Sequence, residues 1–179
     1  MGHLRLITLP KTALALLATL TLSACVLNPS AAPSVDSSGA SKRGTYAVTV
    51  KNVDAIRNRG VTEINRIRSA QGLGPVVLDP MLTRAADAHS ADISRQNRAW
   101  DFGSDGSTPI SRIQRAGYHG RLIGELVSQT YETEIKAINH WMQQPEQREI
   151  LLDPRATAVG FGVMQEDNNK IWWTLTIAQ

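Results

Sequence analysis

The C-terminal end of this chain constrains its fold most, because there the apolar residues switch to a period of two. Val159, Phe161 and Val163 alternate with small residues. Ile171, Trp173, Leu175 and Ile177 alternate with Trp172, Thr174 and Thr176, and Glu166-Asp167-Asn168-Asn169 stands between the two runs as a turn. A period of two puts alternate side chains on opposite faces of a strand, so this end reads as a β-hairpin. Upstream the period is helical. Val61, Ile64, Ile67 and Ala70 share one face and stop at Gly72, a good residue for the position just past a helix. Asp79-Pro80 supplies an N-cap and a first-turn proline ahead of Leu82, Ala85, Ala86, His89 and Ile93. Thr108-Pro109 repeats the device for a short helix closing at Gly117. A fourth helix carries Ile135, Ile138, Trp141 and Met142, and Pro145 opens a last one ending near Leu152. Tyr46, Val48 and Val50 are expected to add an edge strand. Helices gathered ahead of a terminal hairpin argue for the α+β class.

Residues 1–24 read as a lipoprotein signal peptide, residues 25–44 as a lipidated cysteine with a flexible tether, and residues 45–179 as one domain. Arg5 and Lys11 flank the start of an apolar run from Ala13 to Leu22, shorter than the roughly 20 residues of a membrane-crossing helix. Leu22-Ser23-Ala24-Cys25 at its end resembles the bacterial lipoprotein signal, whose cysteine is acylated. Cys25 is the only cysteine, so no internal disulfide framework is available, and lipid attachment gives it a role. Two or more acyl chains, at ~0.8 kcal/mol per buried methylene, anchor stably where one does not. The membrane is therefore the expected partner, reached through acylated Cys25. Val26 beside it favours the periplasmic face of the outer membrane within the bacterial cell envelope. The Ser-, Ala- and Pro-rich residues 26–44 cannot bury enough apolar surface to offset ordering, and as a flexible coil they span about 25 Å.

Taking Arg5 and Lys11 away from 19 basic residues leaves 17 against 16 acidic ones, a net of +1. With no basic block or stripe, nucleic acid is not an expected partner.

A series of short signatures runs through the domain. Asn65-x-x-Arg68 and Gly72-Leu73 precede Leu78-Asp79. Then come Gly103-Ser104-Asp105-Gly106-Ser107-Thr108-Pro109, Arg112-Ile113-Gln114-Arg115-Ala116-Gly117-Tyr118, Gly124-Glu125, Trp141-Met142 with Pro145 and Arg148, Ile150-Leu151, and Thr157-Ala158-Val159-Gly160-Phe161-Gly162. In order and spacing they resemble the bacterial branch of the CAP superfamily, the cysteine-rich secretory, antigen 5 and pathogenesis-related proteins, over about residues 60–178. The resemblance implies an α-β-α sandwich with a small antiparallel sheet between helical layers. It also implies a cleft that in the family gathers two histidines and one or two acids. Here Asp101 stands in place of one histidine and Gln147 in place of the other, Gly-Glu-Asn becomes Gly124-Glu125-Leu126, and only Glu125 is kept. The glutamate of plant and animal members maps to Gln144 and their late histidine near Trp172. The family is linked to lipid or sterol binding, to interactions with other proteins and to occasional proteolysis, so membership alone fixes no reaction.

Glu125 is the leading candidate residue. Set among Leu122, Ile123, Leu126 and Val127, it is expected to be partly buried, which raises a carboxyl pKa unless a partner opposes it. It either holds loop amides or acts as an acid or base, and the sequence offers no histidine beside it to share a proton. Asp101 either caps a turn or joins Glu125 in an oxygen-donor pair, suited to a hard cation or a shared proton but weak for zinc. Asp101-x-x-x-Asp105-Gly106 is no calcium loop, because Gly103 and Arg112 occupy positions that need oxygen ligands. His89, with Asp92 three residues on, reads as a core histidine, and His119 and His140 as surface or packing residues. Trp172 either packs under a helix or lines the ligand cleft with Asp101, Glu125 and Gln147. Serine-hydrolase elbows, Cys/His pairs, zinc-protease motifs and phosphate loops are missing from the sequence. No metal and no cofactor are expected. The chain is expected to be a non-catalytic binding or structural module of the envelope, taking a lipid, peptide or cell-wall ligand. The alternative is a hydrolase using Glu125 as general base with Asp101 in support.

Overall fold

The computed structural model of the chain describes residues 46–179, so the signal peptide, Cys25 and the tether lie outside the described residues. In chain order the elements are α1 (Val53–Ala70), β1 (Val77–Leu78), α2 (Pro80–Gln96), α3 (Pro109–Arg115), β2 (Leu122–Gln129), α4 (Glu134–Gln143), α5 (Pro145–Leu151), β3 (Ala158–Gln165) and β4 (Ile171–Ala178). The sheet runs β1-β3-β4-β2. Both faces are covered, by α2 and α3 on one side and by α1, α4 and α5 on the other, which makes an α-β-α sandwich.

Local chemistry places the helix starts where the caps announce them. The Asp79 carboxylate accepts from the amides of Met81 and Leu82 at 2.8 and 2.9 Å, and Thr108 and Ser111 form a reciprocal capping box. Gly72 and Gly117 take the left-handed conformation after α1 and α3. The hairpin turns at Glu166–Asn169 with Asn169 left-handed, and the Glu166 amide donates to the Lys170 carbonyl at 2.9 Å.

The α-β-α arrangement is as expected, and three details differ. The sheet is antiparallel across β3, β4 and β2 and gains a parallel edge where the two-residue β1 pairs with the start of β3. Tyr46–Val50 forms no strand. Instead the Gln165 side chain accepts from the Val48 amide at 2.7 Å and donates to the Tyr46 carbonyl at 2.9 Å, doing for this segment what a neighbouring backbone would do. The Tyr46 hydroxyl then donates to buried Glu134. Finally, Leu122–Gln129, to which the sequence spacing assigns no element, is a strand paired antiparallel to β4 with Glu125 opposite Thr176. Its apolar run does not alternate, because both of its faces are covered. Helix α1 also begins well ahead of its apolar stripe and passes through Gly60, where a Cβ would stand 2.1 Å from the Phe161 ring.

The larger core lies between the sheet and α1, α4 and α5. There Phe161 sits between Trp141 and Trp173, with ring centroids 6.2 and 5.8 Å away. On the opposite face α2 lies directly on β3. A Cβ at Gly160 would be 2.1 Å from the carbonyl carbon of Leu82, and one at Gly162 would be 2.2 Å from that of Ala86. Both clashes are with backbone, which has no rotamer to give.

Two outcomes follow from this packing. Gly160→Ala should cost about 3 kcal/mol or more, at the upper end of overpacking, whereas Gly74→Ala, which meets open space, should change stability by less than about 0.5 kcal/mol. Trp141→Ala should cost ~3–5 kcal/mol, since its side chain is fully buried. Urea denaturation midpoints check all three, and a Gly160→Ala midpoint equal to wild type would refute the close approach.

Candidate functional site

Strand β2 turns Leu126 into the large core, so the preceding Glu125 points to the face covered by α2 and α3. Its side chain is fully buried there. Arg112 of α3 donates through Nη2 to Glu125 Oε1 and, at 2.8 Å, to the Asp101 carbonyl, while its Nη1 donates to the Ser107 carbonyl at 2.9 Å. The Thr176 hydroxyl of β4 donates to Glu125 Oε2 at 3.1 Å. His89 of α2 completes the cluster, with Nε2 3.6 Å from Glu125 Oε1 and 2.9 Å from the Trp100 carbonyl. A carbonyl can only accept, so that contact requires the proton on Nε2. Nδ1 of the neutral ring is then a bare acceptor, and it is buried without a partner.

Burial raises the Glu125 pKa, while Arg112 and the Thr176 hydroxyl oppose the shift. For His89 burial and then the Arg112 charge act in the same sense, lowering the pKa from 6.5 to about 4. At neutral pH His89 is therefore a neutral imidazole, beside the Glu125 oxygen that faces the Arg112 guanidinium. Arg112 also settles what sits between the carboxylate and the Asp101 loop. A guanidinium occupies the place that a cation bridging Asp101 and Glu125 would need, and Asp101 contributes its carbonyl while its side chain lies exposed. The expectation that Glu125 has no histidine at its side is overturned, since His89 fills that position from a different element.

The other sequence candidates lie elsewhere. Gln147 is half-buried on α5 with an unpartnered Oε1, outside the Arg112 network. Trp172 is fully buried on the α2 face of β4 rather than in the cavity wall, its Nε1 donating to Glu166 at 2.6 Å and its ring lying under Lys170. His140 stacks on Tyr131 and His119 is exposed. Arg112, the residue that ties the site together, stands in the sequence reading only as the first letter of a signature and as a misfit in a calcium-loop pattern, with no role in the site. Its signal was an arginine on the same face of a short amphipathic helix as Ile113 and Ala116.

A cavity of about 460 Å³ opens between α2, α3 and the turn at 103–107, with His89 and Arg112 in its wall and Ala85, Ala88 and Ala116 as its apolar part. The turn is fastened to α2 by Asp92. Burial works against this carboxylate, but the Ser104 hydroxyl and amide, Gln96 and Arg95 outweigh it and bring the pKa down to about 2. The Ser104 amide and hydroxyl donate to Asp92 at 2.7 and 2.6 Å. Among the described residues no group of three or more His, Cys, Asp or Glu side chains is placed to hold a metal ion.

Known proteins match this fold and sequence. The family described as the cysteine-rich secretory protein family, CAP, matches residues 61–177. A curated relative, "Uncharacterized protein YkwD" of Bacillus subtilis, is 26% identical over 133 residues, which cover 74% of this chain and 51% of that protein, so the chain spans about half the length of the relative it matches. Among solved structures, an extracellular protein containing an SCP domain from Bacillus anthracis superposes with a TM-score of 0.63 at 23% identity, over 74% of this chain and 44% of that one. An outer surface protein from Borrelia burgdorferi gives a TM-score of 0.63 at 17% identity, over 74% of this chain and 96% of that one. At these identities the two structures speak to the fold alone.

The cluster makes stability depend on pH. His89 takes its proton near 6.5 in the unfolded chain but only near about 4 in the fold, so its contribution is complete above 6.5 and is lost as pH falls towards 4. The slope reaches at most about 1.4 kcal/mol per pH unit. Glu125, with its pKa raised, works in the opposite sense. Comparing wild type with His89→Gln isolates the first effect: the stability difference should shrink as pH is lowered through this window. A difference independent of pH would show that His89 is not buried in its neutral form.

Proposed function

Because the chain belongs to the cysteine-rich secretory protein family, whose match covers most of its length, we propose that it is an envelope lipoprotein whose CAP domain is a non-catalytic binding module. The observation that carries this reading is the neutralised carboxylate. Glu125 is ion-paired to buried Arg112 and accepts from Thr176, and the Nε2 proton of His89 is given to the Trp100 carbonyl. A general base must reach the proton it removes and have a pKa near the working pH. Here the carboxylate is buried and held by Arg112 and Thr176, and the imidazole, with a pKa of about 4, is a weak base. The same arrangement suits recognition, since the side chains around the cavity are already held in place.

The cellular location rests on sequence and analogy. The segment ending in Leu22-Ser23-Ala24-Cys25 supplies a lipidation site, and the similar structures carry the descriptions "extracellular" and "outer surface". Among the described residues no helix is long and apolar enough to cross a membrane, so attachment by acyl chains at Cys25 is the proposed anchor.

Two experiments test the reading. Wild type should fractionate with membranes and Cys25→Ser should be released from them, whereas wild type in the soluble fraction would refute the anchor. Peptide, lipid and cell-wall extracts incubated with the purified protein should return bound species with unchanged masses. Turnover of any of them that Glu125→Gln abolishes would make the protein a hydrolase instead.

A further inference from the structure

The two edges of the sheet are finished differently. β3 outlasts the two-residue β1, and past Val159 its free side is closed by side chains. Arg57 Nε donates to the Phe161 carbonyl at 3.1 Å, the Asp87 carboxylate accepts from the Val163 amide at 3.2 Å, and the Gln165 side chain takes up the segment at Tyr46 and Val48. At the other end of the order β1-β3-β4-β2, strand β2 has a neighbour on one side only. The Thr130 amide donates to the Ile171 carbonyl at 2.8 Å, which sets the phase of the ladder, so that Gly124, Leu126 and Ser128 exchange backbone bonds with β4. The intervening Glu125, Val127 and Gln129 turn their N–H and C=O groups away from the sheet. The Gln129 carbonyl accepts from the Thr130 hydroxyl at 2.5 Å, and among the described residues no strand lies beside the others.

This edge is open to solvent. The Glu125 side chain is 0% exposed while the residue as a whole is 9% exposed, so what reaches the surface at Glu125 is its backbone. Val127 and Gln129 are half-buried. Edge strands are ordinarily blunted by lysine, proline, a bulge or an inward charge, because a bare row of donors and acceptors is a template for another chain. Leu122–Gln129 contains no lysine, arginine or proline. Its bulge lies between Leu122 and Gly124, ahead of the outward-facing residues, and its one inward charge is matched by Arg112. A fold that closes one edge with Arg57, Asp87 and Gln165 has left the other one bare.

We propose that β2 is a peptide-binding edge, at which an extended segment of another polypeptide joins the sheet beside Glu125, Val127 and Gln129. The spacing of the open groups names the occupant. An N–H and a C=O recur on every second residue, roughly 7 Å apart, a pattern that an extended polypeptide repeats and that an acyl chain or a sugar does not. The half-buried Val127 favours a β-branched side chain opposite it. The inference rests on the domain being a binding module and gives that module its ligand class, but it fails separately. An edge that takes no peptide removes this ligand class and leaves the non-catalytic reading intact, whereas turnover of a bound species removes that reading whatever the edge binds.

Amide hydrogen exchange, followed by NMR on the full chain in detergent, decides it. The probe is acetyl-Val-Thr-Val-Thr-Val amide N-methylated at both threonines, which leaves one bonding edge and keeps the peptide from stacking on itself. Its counterpart carries a further methyl on the central valine nitrogen. In the free chain the Glu125 and Val127 amides should exchange faster than those of Leu126 and Ser128, and the probe at millimolar concentration should slow them at least about fivefold while the counterpart does not. Val127→Pro removes one outward N–H at a place where edge strands accept proline, and it should weaken the probe at least about fivefold. The pair of peptides decides the question even if that variant fails to fold. Slow exchange at Glu125 and Val127 in the free chain would overturn the proposal by showing the edge already covered, by a second copy if the protection is lost on dilution. No slowing by the probe, or equal slowing by its counterpart, would overturn it as well.

Discussion

Everything on one side of this molecule depends on a helix backbone touching a strand backbone. Gly160 and Gly162 remove two side chains from the α2 face of β3, and the carbonyls of Leu82 and Ala86 settle into the space. That contact fixes both the height and the rotation of α2 over the sheet. With the helix seated so low, Ser90 reaches Thr174 at 2.9 Å and His89 reaches the carboxylate that β2 presents from the far edge. Lifting the helix by the thickness of a methyl group would separate the imidazole from Glu125 and widen the cavity that α2 shares with α3.

Two buried arginines play parallel parts on the opposite faces. Arg112 holds the Asp101 and Ser107 carbonyls and the Glu125 carboxylate, which ties the loop before α3 to the sheet. Arg68, at the end of α1, donates to the carbonyls of Gly74, Leu151, Asp153 and Ala156 and so joins the α1–β1 connection to the passage from α5 into β3. A loop carbonyl buried without a donor is costly, by about 1–3 kcal/mol, and one guanidinium can satisfy several at once. The charge differs in its consequences. Arg68 donates to carbonyls and has its pKa lowered by burial, with Asp153 partly opposing, whereas Arg112 meets a carboxylate and opposes the rise that burial gives its pKa. Removing one partner of such a buried pair typically costs ~3–5 kcal/mol, because the other charge is stranded.

What could be read from the sequence follows from the range over which each signal acts. Asp79-Pro80, Thr108-Pro109, Gly72 and Gly117 act within one turn of chain, and the helices they bound lie where their spacing put them. The terminal hairpin was equally legible, since alternation and its turn are both local. Strand β2 was not, because Leu122–Val127 lies in a sheet covered on both faces and its only polar break, Glu125, imitates a loop residue. The first half of α1 was hidden by Gly60, which reads as an interruption until the Phe161 ring is seen to require it. In the site, Glu125 was found through its apolar neighbours, but its partners come from α2, α3 and β4, and no local spacing predicts that three separate elements meet at one carboxylate. The hydrogen-bonded place of Trp172, beneath Lys170 and against Glu166, likewise depends on the turn closing over it.

The position of β4 has a consequence for the order of events during synthesis. It is the last element in sequence, yet it lies inside the sheet with β3 on one side and β2 on the other. A chain emerging from its N-terminus can form α1, α2 and α4 in turn, but β2 has nothing to pair with until residues 171–178 arrive, and the two apolar layers have no common wall. Loop closure between β2 and β4 is a long-range event that must precede burial of Trp141 and Phe161. Until then the nascent chain is a string of helices and open strand edges, and the sheet closes only once β4 has been made and has entered between β3 and β2.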